Sequence, residues 1–401
     1  MAATSRERRN VAILAANQAL FLIAAITVMT LSGIVGQQLT LNPALATLPV
    51  AMMMIGVVVA SLPASLLMKR AGRRAGFITG TLIGGAAGGV LSVAAIGLDS
   101  FVLFCAGSFL LGVYQAFANL HRFAAADAAS PVFESKAISL VLAGGVVAAF
   151  LGPLNASRAT DLLPGIVHAG PYAVIVALSL AGGALHLLLR IPNEQQARTG
   201  HQRPVAAIAA QPAFGVAVLA GTVGYAVMIL VMTATPLAMR NVGFDLADAA
   251  TIMQWHVLGM FAPSFVTGHL IARFGLDRIL LAGAAILAGS VGAAVAGQSM
   301  VHFWVALVLL GVGWNFLYVG GSALLAQTHR PAERGKIQGL NELVVFSAVA
   351  IGSLAAGALL HIVGWTTLNL LLLPFIATTA AVTFWWQRRP QPKPLGSEVV
   401  R

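Results

Sequence analysis

The chain has 401 residues, of which 59% are apolar and only 9% are charged. A soluble protein carries about 25% charged residues, so this composition excludes an ordinary water-soluble fold. The net charge of +11 would favour nucleic acid as a partner of a soluble chain, but the basic residues lie between apolar runs, as they do in membrane proteins. We therefore expect a polytopic membrane protein that binds no nucleic acid.

Apolar runs of roughly 20 residues or more, long enough to cross a hydrocarbon layer of ~30 Å, recur along the whole chain. The first run lacks an Ala-x-Ala cleavage pattern, so we interpret it as a retained span and not as a signal peptide. Twelve spans are predicted, near residues 11–36, 45–68, 75–97, 101–122, 137–158, 168–190, 212–236, 248–272, 279–298, 302–327, 337–360 and 365–387.

The distribution of Lys and Arg predicts the orientation of these spans. An even number of spans places both termini on one side of the membrane, and cytoplasmic loops carry the excess of Lys and Arg. Only Arg158 and Arg240 fall on the opposite face. We expect a multi-pass protein of a bacterial inner membrane with both termini in the cytoplasm. The basic residues of the cytoplasmic face are Arg6, Arg8, Arg9, Lys69, Arg70, Arg73, Arg74, Arg190, Arg198, Arg203, Arg273, Arg278, Arg330, Arg334, Lys336, Arg388 and Arg389.

A polar stretch, PNEQQARTGHQRP at residues 192–204, divides the chain into six spans plus six. Such a stretch between two apolar halves is typical of a linker between domains. The predicted organisation is a cytoplasmic N-terminus at 1–10, an N-terminal six-helix bundle at 11–190, a linker at 191–211, a C-terminal six-helix bundle at 212–387 and a cytoplasmic tail at 388–401.

Three pairs of similar segments indicate an internal duplication. The stretch LLGVYQAF at Leu110–Phe117 returns as LLGVGWNF at Leu309–Phe316, and the segments 131–136 and 69–74 return near 331–336 and 272–278. The offsets lie between 199 and 203 residues. Two six-span copies enter the membrane in the same orientation, so we expect them to be related by a pseudo-two-fold axis along the membrane normal.

Further motifs carry a family resemblance. The stretch SLLMKRAGRR at Ser65–Arg74 matches the second half of a G-x-x-x-D-R-x-G-R-R loop, with Lys69 in the acidic position. Span 4 matches an R-F-L-x-G pattern except that Ser108 replaces the arginine, and span 5 keeps the Gly152-Pro153 pair of antiporters. With these motifs, essentially the whole chain resembles the major facilitator superfamily.

The resemblance implies an all-α fold of two six-helix bundles that transports a solute by alternating access, with the solute bound between the halves. Lys69 in the acidic position argues against the latch that this acid forms in the family. The resemblance assigns gating or coupling roles to Arg70, Gly72, Arg73, Arg74, Gly152 and Pro153.

In the family, spans 1, 4, 7 and 10 line the cavity, and most polar or aromatic residues within the spans of this chain lie there. Aromatic rings with a few amides suit a flat or aromatic solute. The alternatives are that the rings pack in the interior and that Trp255 belongs to an interfacial belt. The candidate solute-binding residues are Asn17, Gln18, Tyr114, Gln115, Asn119, Tyr225, Gln254, Trp255, Trp314, Asn315 and Tyr318.

Ionisable residues within spans are the candidates for coupling. Arg122 shares a helical face with Gln115 and Asn119, and it either snorkels to the interface or faces the cavity, where it attracts an anion or pairs with Glu342. Glu342, beside Asn341, has either a structural or a proton-coupling role.

His256 is a candidate proton carrier or a helix-packing residue. His186, His256 and His361 are expected to stand alone. The loop carboxylates Asp127, Glu134, Asp277 and Glu333 are expected to pair with nearby Arg and Lys.

No phosphate-binding loop, dinucleotide fingerprint or metal-ligand spacing occurs in the sequence, so we expect no cofactor, no metal, no catalytic residues and no enzymatic activity. The favoured function is secondary active or facilitative transport of a small organic, flat or aromatic solute. The alternatives are a proton-coupled efflux antiporter of drugs or metabolites and an uptake system for a vitamin-like nutrient such as a flavin. A membrane sensor or enzyme is the least favoured. We expect a monomer whose partners are the solute, the lipid bilayer and, if transport is coupled, protons.

Overall fold

The computed structural model describes residues 4–40, 45, 48–191 and 202–389, and this part of the chain is largely helical, with turns between the helices and without strands. By length and composition, eleven of its helical stretches could cross a membrane. Ten of them are α1 (Ser5–Leu39), α2 (Leu48–Ala71), α3 (Arg73–Gly97), α4 (Phe101–Asp127), α5 (Glu134–Arg158), α6 (Gly170–Leu187), α7 (Pro212–Asn241), α8 (Asp248–Phe274), α9 (Leu276–Ala296) and α10 (Met300–Ala326).

The eleventh stretch, Pro331–Gln387, has 57 residues, which is far too long for one crossing of ~30 Å at 1.5 Å per residue. It consists of α11 (Arg334–Leu370) and α12 (Leu373–Gln387). Within α11 the backbone is broken at Gly364, where φ is 74°. Predicted spans 11 and 12 meet at this break, so the twelve-span, all-α prediction is confirmed.

Several helices are interrupted within the membrane-spanning stretch. Helix α3 contains a π-helical turn at Gly80–Ala86, and α4 consists of Phe101–Ala118 and His121–Asp127 on either side of a turn. Such interruptions occur frequently at functional sites because they free backbone groups and redirect side chains. Arg122 lies in the second of the two α4 segments, directly after the turn.

The chain forms two compact units, and each contains a segment from the other half of the sequence. The first unit comprises Met1–Ala128, Gly144–Glu194 and Gln338–Phe346, and the second comprises Ala129–Ala143, Gln195–Ile337 and Ser347–Arg401. The beginning of α11 therefore belongs to the first unit and the beginning of α5 to the second. Residues 192–201 of the predicted linker and 390–401 of the predicted tail lie outside the described residues.

Each unit contains the same glycine turn. Gly72 has φ 89° and ψ 160°, and Gly275 has φ 91° and ψ 158°. Only glycine adopts this conformation without strain, and each glycine immediately precedes a helix, α3 or α9. The offset of 203 residues is that of the weaker repeat in the sequence, so this pair of turns supports the internal duplication.

The glycine of the repeated LLGV stretch permits close helix packing in both units. A Cβ atom on Gly112 of α4 would lie 2.0 Å from the carbonyl oxygen of Met53 in α2, and one on Gly311 of α10 would lie 2.6 Å from the carbonyl oxygen of His256 in α8. Both contacts are with backbone, which cannot move aside as a flexible side chain can. The shared letters therefore specify an equivalent helix contact in each unit.

Gly112→Ala is accordingly expected to destabilise the protein by about 1–3 kcal/mol, the usual cost of overpacking a close contact. The measurement is the thermal unfolding temperature of the purified protein in detergent. The matched control is Gly215→Ala in α7, because a Cβ atom there meets nothing within 4 Å. An equal loss in both variants would contradict the close-contact interpretation.

One of the three letters that differ within the repeat, Tyr114 against Gly313, is also explained by packing. A Cβ atom on Gly84 of α3 would lie 2.4 Å from the backbone nitrogen of Tyr114, whereas one on Gly313 would lie 2.8 Å from the side chain of Leu287 in α9. Gly84 and Leu287 are 203 residues apart, and Tyr114 and Gly313 are 199 apart. In the first unit the large residue is Tyr114 of α4 and the small one is Gly84 of α3. In the second unit the large residue is Leu287 of α9 and the small one is Gly313 of α10, so each contact joins one large and one small residue.

Candidate functional site

A buried ion pair lies in the first unit. The Nη2 atom of Arg122 is 2.5 Å from Oε1 of Glu342, and the two side chains are only 2% and 1% exposed. Arg122 also donates to the backbone oxygen of Asn119 at 2.8 Å, and Asn341 donates to the same Glu342 oxygen at 2.9 Å. Of the alternatives for Arg122, pairing with Glu342 is confirmed and snorkelling to the interface is wrong, because the guanidinium is buried against the Glu342 carboxylate.

Three amide side chains of the first unit have buried atoms without a protein partner. Among the described residues, Asn17 Oδ1, Gln115 Oε1 and Asn119 Nδ2 accept or donate no hydrogen bond. A buried polar atom left unpaired costs about 1–3 kcal/mol, and such atoms in a native protein call for an explanation. A polar solute would satisfy them, so these three residues remain candidates for solute contact.

The basic turn after α2 is anchored by one of its arginines. Arg73 donates to Asp127 at the end of α4, at 3.1 Å from Nε and 2.7 Å from Nη2, and also to Oε1 of Gln338. Arg70 and Arg74 are exposed. The expectation that Asp127 pairs with a nearby arginine is confirmed. The turn is thus linked to the beginning of α11 through Arg73, although Lys69 occupies the acidic position of the motif.

Gly152 packs α5 against α1, whereas Pro153 is exposed. A Cβ atom on Gly152 would lie 2.7 Å from Cβ of Ile26, and the Gly152 carbonyl accepts a hydrogen bond from Thr27 at 3.2 Å. Asn155 donates to the same Thr27 hydroxyl at 3.0 Å. These contacts require a small residue at position 152, and a gating role for the pair stays a prediction.

Four rings of the second unit form what we call the aromatic cluster: Tyr225, Phe261, Trp314 and Tyr318. Trp314 stacks on Tyr318, with ring centroids 4.9 Å apart and planes 20° apart. The ring of Tyr225 stands edge-on to both, at 5.4 and 5.2 Å, and that of Phe261 stands edge-on to Trp314 at 5.7 Å. Trp314 is 2% exposed, and its Nε1 donor has no partner among the described residues.

The other candidates of the second unit do not join this cluster. Asn315 is buried and fully bonded, donating to Met260 O and Ser264 Oγ and accepting from Thr267, so it serves helix packing. Gln254 and Trp255 are exposed, and Trp255 contacts Trp304 at 5.6 Å, which fits the interfacial-belt alternative.

His256 and Tyr114 are both buried. His256 Nδ1 lies 2.8 Å from the carbonyl oxygen of Leu307 in α10, which fits the helix-packing alternative, and its Nε2 has no partner in the described part of the chain. In the first unit, Tyr114 is 2% exposed and packs edge-on against Phe21 at 5.2 Å, so the packing alternative applies to it.

A histidine pair was missed from the sequence. His121 and His186 are both buried, and their Nε2 atoms are 3.1 Å apart. His121 Nδ1 lies 3.0 Å from Oε1 of Gln18, and His186 Nδ1 lies 3.4 Å from Oγ1 of Thr81. The expectation that His186 stands alone is therefore wrong. The sequence offers no local signal for this pair, because the two residues lie on different helices.

An ion pair in the second unit joins the residues before α7 to those before α11. Arg203 Nη2 is 2.7 Å from Glu333 Oε2, which confirms the expected pairing of this loop carboxylate. The hydrogen bond to Glu333 raises the pKa of the Arg203 guanidinium. Arg203 is 24% exposed, so this pair is less buried than that of Arg122 and Glu342.

Comparison with known proteins agrees with this architecture. The model of the Major Facilitator Superfamily matches residues 13–253 and 216–400. The riboflavin transporter RfnT of Brucella anthropi is 42% identical over 373 residues, which cover 92% of this chain and 94% of that protein. The uncharacterized transporter YdeG of Bacillus subtilis is 30% identical over 87% of this chain and 86% of its own length.

The fold is also that of solved transporters. The crystal structure of FucP in the outward conformation superposes with a TM-score of 0.74 at 20% identity, over 95% of this chain and 99% of that one. The human organic anion transporter MFSD10 gives a TM-score of 0.76 at 13% identity, over 95% of this chain and 100% of that one. This chain is a multi-pass membrane transporter and belongs to the Major Facilitator Superfamily.

Proposed function

We propose that this transporter carries riboflavin, or a flavin with the same ring system, into the cell. The observation that carries the proposal is the 42% identity to a riboflavin transporter over nearly the full length of both chains. The expectation of a flat or aromatic solute, reached from the aromatic residues of spans 7 and 10, agrees with this solute class.

The aromatic cluster supports the proposal chemically. A flavin presents a flat, polarisable ring system with carbonyl acceptors along one edge. Each aromatic contact contributes about 0.5–1.5 kcal/mol beyond the burial of its area. Tyr225 is half-buried, which gives the cluster an accessible side, and the unpaired Nε1 of Trp314 is a donor for a ring carbonyl.

The first unit, taken by itself, offers polar groups for a hydroxylated solute. The ribityl chain of riboflavin carries hydroxyl groups, each of which both donates and accepts hydrogen bonds. The unpaired amide atoms of Asn17, Gln115 and Asn119 are hydrogen-bonding groups of the kind that such hydroxyls pair with. We assign these residues to solute contact and the ion pair of Arg122 and Glu342 to the organisation of the helices around them.

The membrane location, the topology and the mode of transport are part of the same proposal. The charge distribution supports an inner membrane location with both termini in the cytoplasm. Transport is secondary active or facilitative, and the moving bodies are the predicted bundles at 11–190 and 212–387. The protein acts as a monomer, without a cofactor and without catalysing a chemical reaction.

Export is the second candidate, because Gly152-Pro153 matches the pattern of antiporters. The replacement of the span 4 arginine by Ser108 argues against proton-driven drug export. The two directions predict opposite changes in cellular flavin.

Labelled riboflavin is expected to accumulate several times more in riboflavin-auxotrophic cells that express the gene than in cells with an empty vector. Labelled thymidine, which lacks the tricyclic ring, serves as the control solute and should accumulate equally in both. A lower flavin content in the expressing cells would instead establish export. Equal flavin content in both would contradict flavin transport.

A further inference from the structure

A chain of hydrogen bonds through two buried histidines begins at Gln18, one of the residues that the sequence predicts to contact the solute. It runs from Gln18 of α1 through His121 of α4 and His186 of α6 to Thr81 of α3, with heavy-atom distances of 3.0, 3.1 and 3.4 Å. All four side chains are buried. Polar groups at this depth are costly and tend to mark functional pathways in membrane proteins.

The geometry of the rings suits proton transfer. The two imidazole centroids are 5.3 Å apart while their Nε2 atoms are only 3.1 Å apart, so the two nitrogens occupy the facing edges of the rings. Phe77 lies against both rings, with centroids 4.5 Å from His121 and 5.1 Å from His186. An aromatic face attracts a cation, so Phe77 stabilises whichever imidazole holds an extra proton.

When both imidazoles are neutral and Gln18 Oε1 is an acceptor, one arrangement of donors and acceptors satisfies every hydrogen bond between these four residues. Thr81 donates to His186 Nδ1, His186 donates from Nε2 to His121 Nε2, and His121 donates from Nδ1 to Gln18 Oε1. The reverse arrangement is equally complete if the Gln18 carboxamide rotates, so that its NH₂ group donates to His121 Nδ1. The hydrogen bonds can therefore donate along the series in either direction, and the orientation of the Gln18 carboxamide distinguishes the two.

One transferred proton converts the first arrangement into the second. A proton bound at His186 Nδ1 makes this ring an imidazolium, which passes its Nε2 proton to His121 Nε2. His121 then releases its Nδ1 proton at the Gln18 end. One proton has entered and one has left, each ring again holds one, and the Gln18 carboxamide must turn to donate.

We propose that His121 and His186 form a proton-relay site that couples proton movement to solute binding through Gln18. The coupling to solute rests on the flavin transport proposed above, whereas the relay itself does not. A charge at this depth is costly in the conformation described here, so proton binding accompanies an opening of the pair to water. Conformation and protonation are then linked, as secondary transport requires.

We assign proton binding to the two imidazoles and not to the charged residues around them. Among the described residues, each imidazole is hydrogen-bonded only to the other and to Gln18 or Thr81. Arg122 pairs with Glu342 and Arg73 with Asp127, while Arg6 and Arg9 donate to the carbonyls of Arg190 and Leu188. The charged residues on the elements around the pair are Arg6, Glu7, Arg8, Arg9, Arg73, Arg74, Arg122, Asp127, Arg190 and Glu342.

Transport in proteoliposomes tests the coupling with His121→Gln, His186→Gln and the control His256→Gln. The control removes a buried histidine that bonds to a carbonyl and to no other histidine. One pH unit is equivalent to ~1.4 kcal/mol, which can drive about tenfold accumulation of riboflavin. We expect both pair variants to lose this gradient-driven accumulation while retaining exchange of riboflavin without a gradient, and His256→Gln to retain both.

Solid-state NMR of [¹⁵N]histidine-labelled protein in lipid gives a readout that needs no solute. The two Nε2 nitrogens should share one N–H···N hydrogen bond and take up one proton together at a single midpoint as the pH is lowered. His256→Gln should leave this signal intact. Absence of the shared bond, or separate titration of the two rings, would overturn the relay even if a variant failed to fold.

The transport results separate the two proposals. Gradient-driven accumulation that survives in either pair variant overturns the coupling, as does wild-type exchange that a pH gradient does not stimulate. If the wild-type protein moves no riboflavin at all, flavin transport and the coupling fail together, whereas the shared proton seen by NMR still decides the relay.

Discussion

Arg122→Met is expected to destabilise the protein by about 3–5 kcal/mol, because it leaves the Glu342 carboxylate buried without its cation. Glu342 is 1% exposed, and its Oε2 atom already lacks a partner among the described residues. The one remaining donor to Oε1 would be the amide of Asn341. The thermal unfolding temperature in detergent, with the fraction of monodisperse protein, measures the loss.

The double variant Arg122→Met/Glu342→Met distinguishes two causes of the lost stability: a buried carboxylate left without a partner, and the loss of the favourable energy of the ion pair. Replacing both members of a buried ion pair by apolar residues is often neutral or stabilising, so the double variant should recover most of the stability that each single variant loses. Arg203→Met is the control, since that arginine is 24% exposed in its pair with Glu333, and its loss should be smaller. Additive losses in the double variant would contradict this account.

The large features of the fold could be predicted from the sequence because the bilayer imposes them. In hydrocarbon every backbone polar group must be satisfied internally, so long apolar runs become helices. The internal repeat is matched by local structure: the turns at Gly72 and Gly275 share one conformation, and Gly112 and Gly311 make the same kind of close contact. These features depend on a few residues whose geometry has little freedom.

The contents of the candidate site were less predictable because periodicity indicates a helical face but not the neighbour that the face meets. Trp314 and Asn315 are adjacent and were both expected to contact solute. The amide of Asn315 is fully hydrogen-bonded to residues of α8, whereas the Trp314 indole nitrogen has no partner among the described residues. The role of Arg122 stayed open because its partner, Glu342, lies on a different helix. His121 and His186 meet across helices, which no spacing within one helix can indicate.

Trp314→Phe is expected to weaken riboflavin binding by roughly 5- to 150-fold. The substitution removes the indole N–H, worth about 0.5–1.5 kcal/mol as a hydrogen bond, and part of the ring that stacks on Tyr318, worth a similar ~0.5–1.5 kcal/mol. Together these amount to about 1–3 kcal/mol, which gives the stated range. The measurement is a titration of flavin fluorescence against purified protein, supported by the KM of uptake.

The phenylalanine variant is preferred because Trp→Ala in a buried cluster costs about 3–5 kcal/mol of stability and could abolish folding. Trp304→Phe is the matched control, since Trp304 is 38% exposed and contacts Trp255 outside the aromatic cluster. Binding that weakens equally in both variants would point to a general loss of structure. Unchanged binding in a folded Trp314→Phe protein would remove the aromatic cluster from the solute site, and attention would then move to Gln115 and Asn119, whose unpaired amide atoms are the remaining candidates.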